Sequence, residues 1–212
     1  MHCIIAEDHP LYREAITNVI NKAFDDITIS VTDTFDALQE LVESDISPDF
    51  ILLDLCMPGV YGFSGLIFLR GQYPSVPIIV MSAKEGTDVI QKTAEYGADG
   101  FIPKSTPTEE MLVIIEKVLA GEKSFPACCS DSSPNALSEQ DQLTAQRIKE
   151  LSPRQFKILL MVTEGKLNKQ IASELFISLS TVKSHMSAIM KVLRVNTRTH
   201  AALIAKRLDI SE

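Results

Sequence analysis

Five short, nearly continuous apolar runs alternate with longer segments of helical spacing over the first half of the chain. The runs cover residues 3–6, 27–31, 50–53, 78–81 and 100–102. Continuous apolar runs are typical of strands buried on both faces, and their alternation with amphipathic helices is typical of a parallel sheet covered by helices. The sequence therefore predicts an α/β domain with a doubly wound, five-stranded parallel sheet.

The pattern changes twice further along the chain. After residue 121 the apolar rhythm fails, and residues 122–147 have the polar composition of a linker. From residue 148 the helical spacing returns without strand signals, and Ser152, Asn168 and Ser178 each stand where they could cap a helix. We predict an α/β domain over residues 1–121, a linker over 122–147 and an all-α domain over 148–212.

Charge divides the chain in the same place. Residues 1–150 hold 10 Lys and Arg against 24 Asp and Glu, a balance of −14, whereas residues 151–212 hold 10 against 4, a balance of +6. The net charge of −8 therefore conceals a basic C-terminal end. That end is the candidate for contacts with nucleic-acid phosphates.

Two negative expectations follow from the composition. No window approaches the roughly 18 apolar residues that a membrane span needs. Glu7 and Asp8 interrupt the N-terminal apolar run too early for a signal peptide, so we expect a cytoplasmic protein without a membrane partner. The cysteines lack the spacing of metal ligands, so we expect reduced thiols. They are Cys3, Cys56, Cys128 and Cys129.

Charged and hydroxyl side chains follow four of the apolar runs. They are Glu7 and Asp8 after the first run, Asp54 after the third, Ser82 after the fourth and Lys104 after the fifth. Because parallel strands present their carboxyl ends at one sheet edge, these groups should converge there. Crowded carboxylates repel one another unless a cation intervenes, and their hard oxygen ligands suit Mg²⁺.

Asp54 is the candidate nucleophile of this cluster because it ends the central strand. With its charge balanced by Mg²⁺ and Lys104, its carboxylate could attack a phosphoryl group and form an acyl phosphate. Asp8 has a simpler alternative role, since an aspartate at this place could merely cap the first helix.

Four motifs resemble the receiver domain of response regulators, which has a flavodoxin-like fold. They are Glu7-Asp8, Asp54-Leu55-Cys56-Met57-Pro58-Gly59, Ser82-Ala83 and Phe101-Ile102-Pro103-Lys104. The resemblance implies that Asp54 accepts phosphate from a sensor histidine kinase.

The same resemblance implies a role for each matching residue. Asp8, Asp54 and the backbone carbonyl of Cys56 would ligate Mg²⁺, with Glu7 acting through water. Ser82 and Lys104 would bind the phosphoryl group, while Phe101 would move between exposed and buried rotamers. Phe101 lacks the hydroxyl that tyrosine often supplies at this place.

The basic end has the spacing of a helix-turn-helix motif, with a third helix that begins after Ser178. Side chains away from its apolar stripe could enter the major groove, and nearby basic residues could contact phosphates. The groove candidates are Thr181, Lys183, Ser184 and Ser187, and the phosphate candidates are Lys169, Lys191, Arg194 and Arg198. His185 could either approach DNA or be a hydrogen-bonded structural residue.

A second set of motifs resembles the LuxR-type domain of the NarL/FixJ subfamily. It comprises Leu151-Ser152-Pro153-Arg154, Glu164-Gly165, Asn168-Lys169-Gln170-Ile171-Ala172, Ile177-Ser178, Thr181-Val182-Lys183-Ser184-His185 and Asn196-Thr197-Arg198-Thr199. The resemblance implies binding to double-stranded promoter DNA as a homodimer, paired through the last helix at about residues 197–208. Ser187 departs from the pattern, because many relatives have a basic residue there.

Together the two halves predict a bacterial two-component response regulator that controls transcription and dimerises when phosphorylated. One alternative is a regulator with the same DNA-binding end but a receiver controlled by a ligand or a partner protein. Another is a phosphatase of the haloacid dehalogenase type, a family with an Asp-x-Asp motif whose second aspartate protonates the leaving group. This chain has Cys56 in place of that second aspartate. We therefore expect no enzymatic turnover beyond self-phosphorylation from a phosphodonor and slow self-dephosphorylation.

Overall fold

The expected five-stranded sheet is present in the computed structural model, which describes residues 1–44, 46–126 and 137–208. Its strands run in the order β2-β1-β3-β4-β5, and every neighbouring pair is parallel. The strands are β1 His2–Ala6, β2 Thr28–Thr32, β3 Phe50–Asp54, β4 Ile78–Ser82 and β5 Gly100–Pro103. This confirms the predicted architecture, and each strand lies within one residue of its apolar run.

Five helices cover the two faces of the sheet. They are α1 Pro10–Ala23, α2 Phe35–Glu43, α3 Ser64–Gln72, α4 Thr87–Glu95 and α5 Thr108–Leu119. Ile16 of α1 and Ile115 of α5 pack on one face, whereas Leu38 of α2, Leu66 of α3 and Ile90 of α4 pack on the other. Because both faces are covered, β1, β3 and β4 are buried along nearly their whole length and appear as continuous apolar runs in the sequence. The edge strand β2 is partly exposed and alternates apolar and hydroxyl residues.

The C-terminal part is helical, as expected. Its helices are α6 Glu139–Lys149, α7 Pro153–Thr163, α8 Asn168–Glu174, α9 Leu179–Leu193 and α10 Arg198–Lys206. Ser152 caps α7 in a reciprocal capping box with Gln155, and the Ser178 hydroxyl accepts a hydrogen bond from the Thr181 amide at 3.0 Å.

The expected cap at Asn168 is wrong. Leu167 is the residue before α8, and its amide donates to Gln170 Oε1 at 2.7 Å. The side chain of Asn168 instead accepts a hydrogen bond from Arg198. The Asn168 side chain, which the sequence predicts as a helix cap, therefore binds a residue of another helix instead.

The two halves of the chain share one apolar core. The ring of Phe156 in α7 stacks on Phe68 in α3, with ring centroids 4.4 Å apart, and it also meets the edge of Phe35 in α2. Helix α6 begins within the predicted linker and packs along α3. It also crosses residue 148, so the boundaries at residues 121 and 148 stay predictions.

Hydrogen bonds reinforce this junction. The side chain of Gln72 donates to the carbonyl oxygen of Leu151 at 3.2 Å. Nearer the sheet, the backbone amide of Phe63 donates to the carbonyl oxygen of Leu208 at 2.9 Å. The segment that follows β3 therefore contacts the C-terminal part directly.

Gly71 allows the close approach of α3 and α6. A methyl group added at this position would lie 2.7 Å from the Cα atom of Lys149 and collide with that residue's carbonyl oxygen. We expect Gly71→Ala to cost about 1–3 kcal/mol of stability, the usual range for overpacking, although Ala is the better helix former. Thermal unfolding and the radius of gyration from X-ray scattering would measure the loss and the separation of α6.

Gly86→Ala is the matched control for this prediction. The added methyl group there meets the flexible carboxylate of Asp88 rather than backbone. An unchanged radius of gyration and an undiminished melting temperature in Gly71→Ala would contradict the close packing.

Two further expectations concern membranes and thiols. Within the described residues, no helix has both the length and the apolar character that a membrane crossing requires. Cys3 is a buried free thiol and Cys56 an exposed one. Cys128 and Cys129 lie outside the described residues.

Candidate functional site

The sheet edge brings together a buried ion-pair cluster. The ammonium group of Lys104 lies 2.8 Å from Glu7 Oε1 and 3.0 Å from Asp54 Oδ2. Asp54 ends the central strand, and both carboxylates are almost completely buried, at 0% exposure for Glu7 and 1% for Asp54. Residues separated by up to 97 positions in the sequence thus form one pocket.

Asp8 completes an acidic group at the same place. Ligand atoms of Glu7, Asp8, His9 and Asp54 all lie within 4.8 Å of one another. Glu7 Oε2 and Asp8 Oδ1 are buried and accept no hydrogen bond from the described residues, although His9 Nδ1 lies 2.9 Å from the Asp8 oxygen. Oxygen ligands with unused lone pairs are what Mg²⁺ binds, so these residues fit the expected metal.

The charges of the pocket are balanced incompletely. Burial raises the pKa of the Asp54 carboxyl, although the amide of Cys56 and the ammonium of Lys104 oppose the shift. Burial also disfavours the charged form of Lys104, but its hydrogen bonds to Glu7 and Asp54 outweigh this, so its pKa is raised. One ammonium stands against three neighbouring carboxylates, which favours the binding of a further cation.

The remaining expected receiver residues line the same edge or the strand beside it. Ser82 ends β4, is fully buried, and its hydroxyl accepts a hydrogen bond from the Lys84 amide at 3.0 Å. The Lys104 amide donates to the carbonyl oxygen of Ser82. Phe101 is fully buried in β5, so the structure shows the inward rotamer. Cys56 donates its amide to Asp54 and leaves its thiol exposed.

Three residues that sequence reasoning did not select also belong to this edge. Arg13 donates to the carbonyl oxygens of Glu7 and Asp8, at 2.8 and 3.1 Å, and so fixes the turn that carries them. Tyr12 lies under the Lys104 ammonium, and burial together with the carboxylates raises its pKa to about 12. His9 follows Asp8 directly, and Tyr12 and Arg13 lie in the first turns of α1. This closeness to Asp8 in the sequence was the available signal.

The second candidate surface is the outer side of α9. Its apolar residues Val182, Met186, Ile189 and Leu193 are buried against the domain. Lys183, Ser184, Ser187 and Lys191 are exposed, whereas Thr181 and His185 are partly buried. Thr181 shares a hydrogen bond with Ser178, and Ser187 donates to the carbonyl oxygen of Lys183. An exposed polar helix face of this kind can enter a DNA groove.

The expected phosphate-contact residues occupy different environments. Lys169 and Arg194 are exposed, and Arg194 ends α9 in the left-handed conformation with φ 54°. Arg198 instead donates to Asn168 Oδ1 at 3.1 Å and to the carbonyl oxygen of Lys166 at 2.6 Å. Arg198 thus ties α10 to the start of α8, and its contact with phosphate stays a prediction.

Comparison with known families matches both halves of the chain. The model for the response regulator receiver domain matches residues 3–116, and the model for the bacterial regulatory proteins of the luxR family matches residues 149–205. Two curated proteins are similar over nearly the whole chain. The glycerol metabolism activator of Pseudomonas putida is 38% identical over 98% of this chain and 96% of its own. The nitrate/nitrite response regulator NarL of Escherichia coli is 31% identical over 94% and 92%.

A solved structure has a similar fold. The response regulator RcsB in complex with DNA covers 96% of each chain, with a TM-score of 0.55 and 21% sequence identity. At this identity the likeness concerns the fold alone.

Proposed function

Because the chain belongs to the response regulators of the NarL/FixJ subfamily, a receiver joined to a luxR-type DNA-binding domain, we propose that phosphorylation of Asp54 controls its binding to promoter DNA. A sensor histidine kinase would supply the phosphoryl group. The observation that carries the proposal is the buried cluster in which Lys104 joins Glu7 and Asp54. Such a cluster is arranged for phosphoryl transfer, which depends on positioning and charge stabilisation.

The reaction needs a nucleophile and balanced charge. A carboxylate oxygen of Asp54 would attack the phosphorus atom and form a P–O bond, while the P–N bond to the kinase histidine breaks and the imidazole leaves. Mg²⁺ held by Asp8, Asp54 and the Cys56 carbonyl, with Glu7 acting through water, would neutralise charge on the phosphoryl oxygens. The Lys104 ammonium, which donates a hydrogen bond to Asp54 in the structure, would donate it to a phosphoryl oxygen instead.

The switch would follow from the new charge at Asp54. The Ser82 hydroxyl now accepts from the Lys84 amide and still has its own proton to donate to a phosphoryl oxygen. Movement of Ser82 would change the packing around the ring of Phe101, which is fully buried in β5. A local change of charge of this kind can bias a two-state element.

Two contacts support a route from the pocket to the DNA-binding domain. The segment from Cys56 to Phe63 joins the nucleophile to the hydrogen bond between Phe63 and Leu208. Beyond it, Phe68 stacks on Phe156. We propose that phosphorylation weakens this junction and shifts the population toward a homodimer, which would bind paired half-sites in the cytoplasm with greater avidity.

The switch can be tested by DNA footprinting on a site selected by the protein itself. Tighter binding is expected after treatment with a small phosphodonor and Mg²⁺, and no such gain is expected in Asp54→Asn. Asp25→Asn, at an exposed turn, is the control for the loss of one carboxylate. Equal affinity with and without the donor, in a protein that carries the acyl phosphate, would favour the alternative of a receiver controlled by a ligand or partner.

Lys183 and Lys191 provide a prediction for the DNA interface. Lys183→Ala should relax the base preference at one position and cost about 1–3 kcal/mol of binding, as expected for a groove contact. Lys191→Ala should weaken binding uniformly across DNA sequences, as expected for a phosphate contact. It should also reduce the salt slope, the steepness of the plot of log binding constant against log salt concentration, by about 1. Titrations over several salt concentrations and site variants would measure both.

Lys117→Ala is the control for these two variants. Lys117 is exposed on α5, away from the DNA-binding domain. If all three variants shared the wild-type affinity and salt slope, α9 would not be the recognition helix.

A further inference from the structure

Tyr12 lies in the phosphoryl pocket without a role in the proposed function. It belongs to the first turns of α1 and lines the same cavity as Asp54, Cys56 and Lys104. The Lys104 ammonium lies 5.0 Å from the centre of its ring. This distance is within the roughly 6 Å over which an aromatic face attracts a cation.

Tyr12 cannot be explained by a hydrogen bond of its hydroxyl in this structure. The hydroxyl oxygen is buried and has no hydrogen-bond partner among the described residues. A buried phenol usually finds such a partner, so its absence disfavours a role for the hydroxyl as a structural anchor. The ring packs against the apolar cluster that includes Ile16, and its face lies against Lys104.

The position of the ring matters because Lys104 must change partners. In the structure the ammonium is held by Glu7 and Asp54 at hydrogen-bond distance. When Asp54 becomes esterified, that carboxylate loses its charge, and the ammonium must move toward the phosphoryl oxygens. The aromatic face attracts the cation throughout this exchange, since the attraction does not depend on which oxygen the ammonium binds.

We propose that Tyr12 is a positioning residue that keeps the Lys104 ammonium inside the pocket during phosphoryl transfer. The inference rests on the proposed function of the site and adds a residue to it. It attributes the effect to the aromatic ring and not to the hydroxyl. Tyr12→Phe should therefore behave like the wild type, whereas Tyr12→Leu should not.

The first measurement needs neither donor nor metal. The ring should shift the NMR resonances of the Lys104 ε-methylene protons, and this shift should persist in Tyr12→Phe and disappear in Tyr12→Leu. The second measurement is the rate of adduct formation from acetyl phosphate with Mg²⁺. We expect a roughly three- to thirtyfold lower maximal rate in Tyr12→Leu, with a smaller change in the acetyl phosphate concentration needed for half the maximal rate.

The outcomes separate this inference from the proposed function. A wild-type protein that forms no adduct would overturn the proposed function, while the ring-current shift would still report the contact. A Tyr12→Phe variant as slow as Tyr12→Leu, or a Tyr12→Leu variant as fast as the wild type, would overturn the role of the ring. Melting temperatures of both variants would identify any rate loss that comes from unfolding.

Discussion

Replacement of Lys104 by methionine is expected to lower the free energy of unfolding at neutral pH by about 3 kcal/mol. The change removes the cation that joins Glu7 and Asp54, whose carboxylates are buried. The figure is the lower end of the range for a broken buried pair, because Lys104 itself keeps some contact with solvent. Urea denaturation of both proteins would measure the difference.

The dependence on pH and metal makes this prediction specific. Burial raises the pKa of Asp54, so its carboxyl takes up a proton at a higher pH than a solvated aspartate does. The difference in the free energy of unfolding between Lys104→Met and the wild type should therefore narrow as the pH falls. The pKa of Lys104 is also raised, so the wild type should lose the contribution of Lys104 only as the pH rises through that raised value. Mg²⁺ should restore part of the stability of the variant, because it replaces the missing positive charge.

Lys117→Met is the control, since Lys117 is exposed on α5. It should leave stability and its pH dependence unchanged. A Lys104→Met protein as stable as the wild type from pH 5 to pH 8 would mean that Lys104 does not balance the buried carboxylates.

The second large effect concerns the junction between the two halves. Phe156→Ala is expected to cost about 3–5 kcal/mol, the range for removing a buried phenylalanine. Because Phe156 contacts Phe68 and Phe35 across the junction, the variant should also uncouple the two parts. Differential scanning calorimetry should show one transition for the wild type and two for the variant.

Phe24→Ala distinguishes uncoupling from a general loss of stability. Phe24 packs against Phe50 within the receiver, away from the junction. This variant should lower the melting temperature while the single transition is kept. Two transitions in the wild-type protein would contradict a shared core. A single transition in Phe156→Ala would contradict the role of Phe156 in coupling the two halves.

The fold of the receiver and the composition of its pocket could be predicted because their signals are local. The strands β1, β3 and β4 appear as apolar runs, and the residue after a run lies at the sheet edge, as Asp54 does after residue 53. The polar face of α9 could be recognised in the same way from its spacing. The roles of the individual site residues stay predictions, although the structure brings Glu7, Asp8, Asp54 and Lys104 together.

The features that escaped prediction depend on contacts between distant parts of the chain. Nothing in the local pattern of Phe68 or Phe156 distinguishes a ring buried within its own domain from one that faces the other half. The same holds for Asn168, whose side chain accepts a hydrogen bond from Arg198 instead of capping α8. The contact of Tyr12 with Lys104 could not be predicted for a different reason, since an aromatic residue near the start of a helix usually indicates packing.

The most direct test of the central claim is to locate a phosphoryl group on the protein. Wild-type protein incubated with acetyl phosphate and Mg²⁺ should gain the mass of one phosphoryl group. The gain should be labile to acid, absent when the metal is chelated, and located at Asp54 after reductive cleavage and peptide mass spectrometry. A folded protein that gains no such group, or that carries it on another residue while Asp54 stays free, would contradict the account.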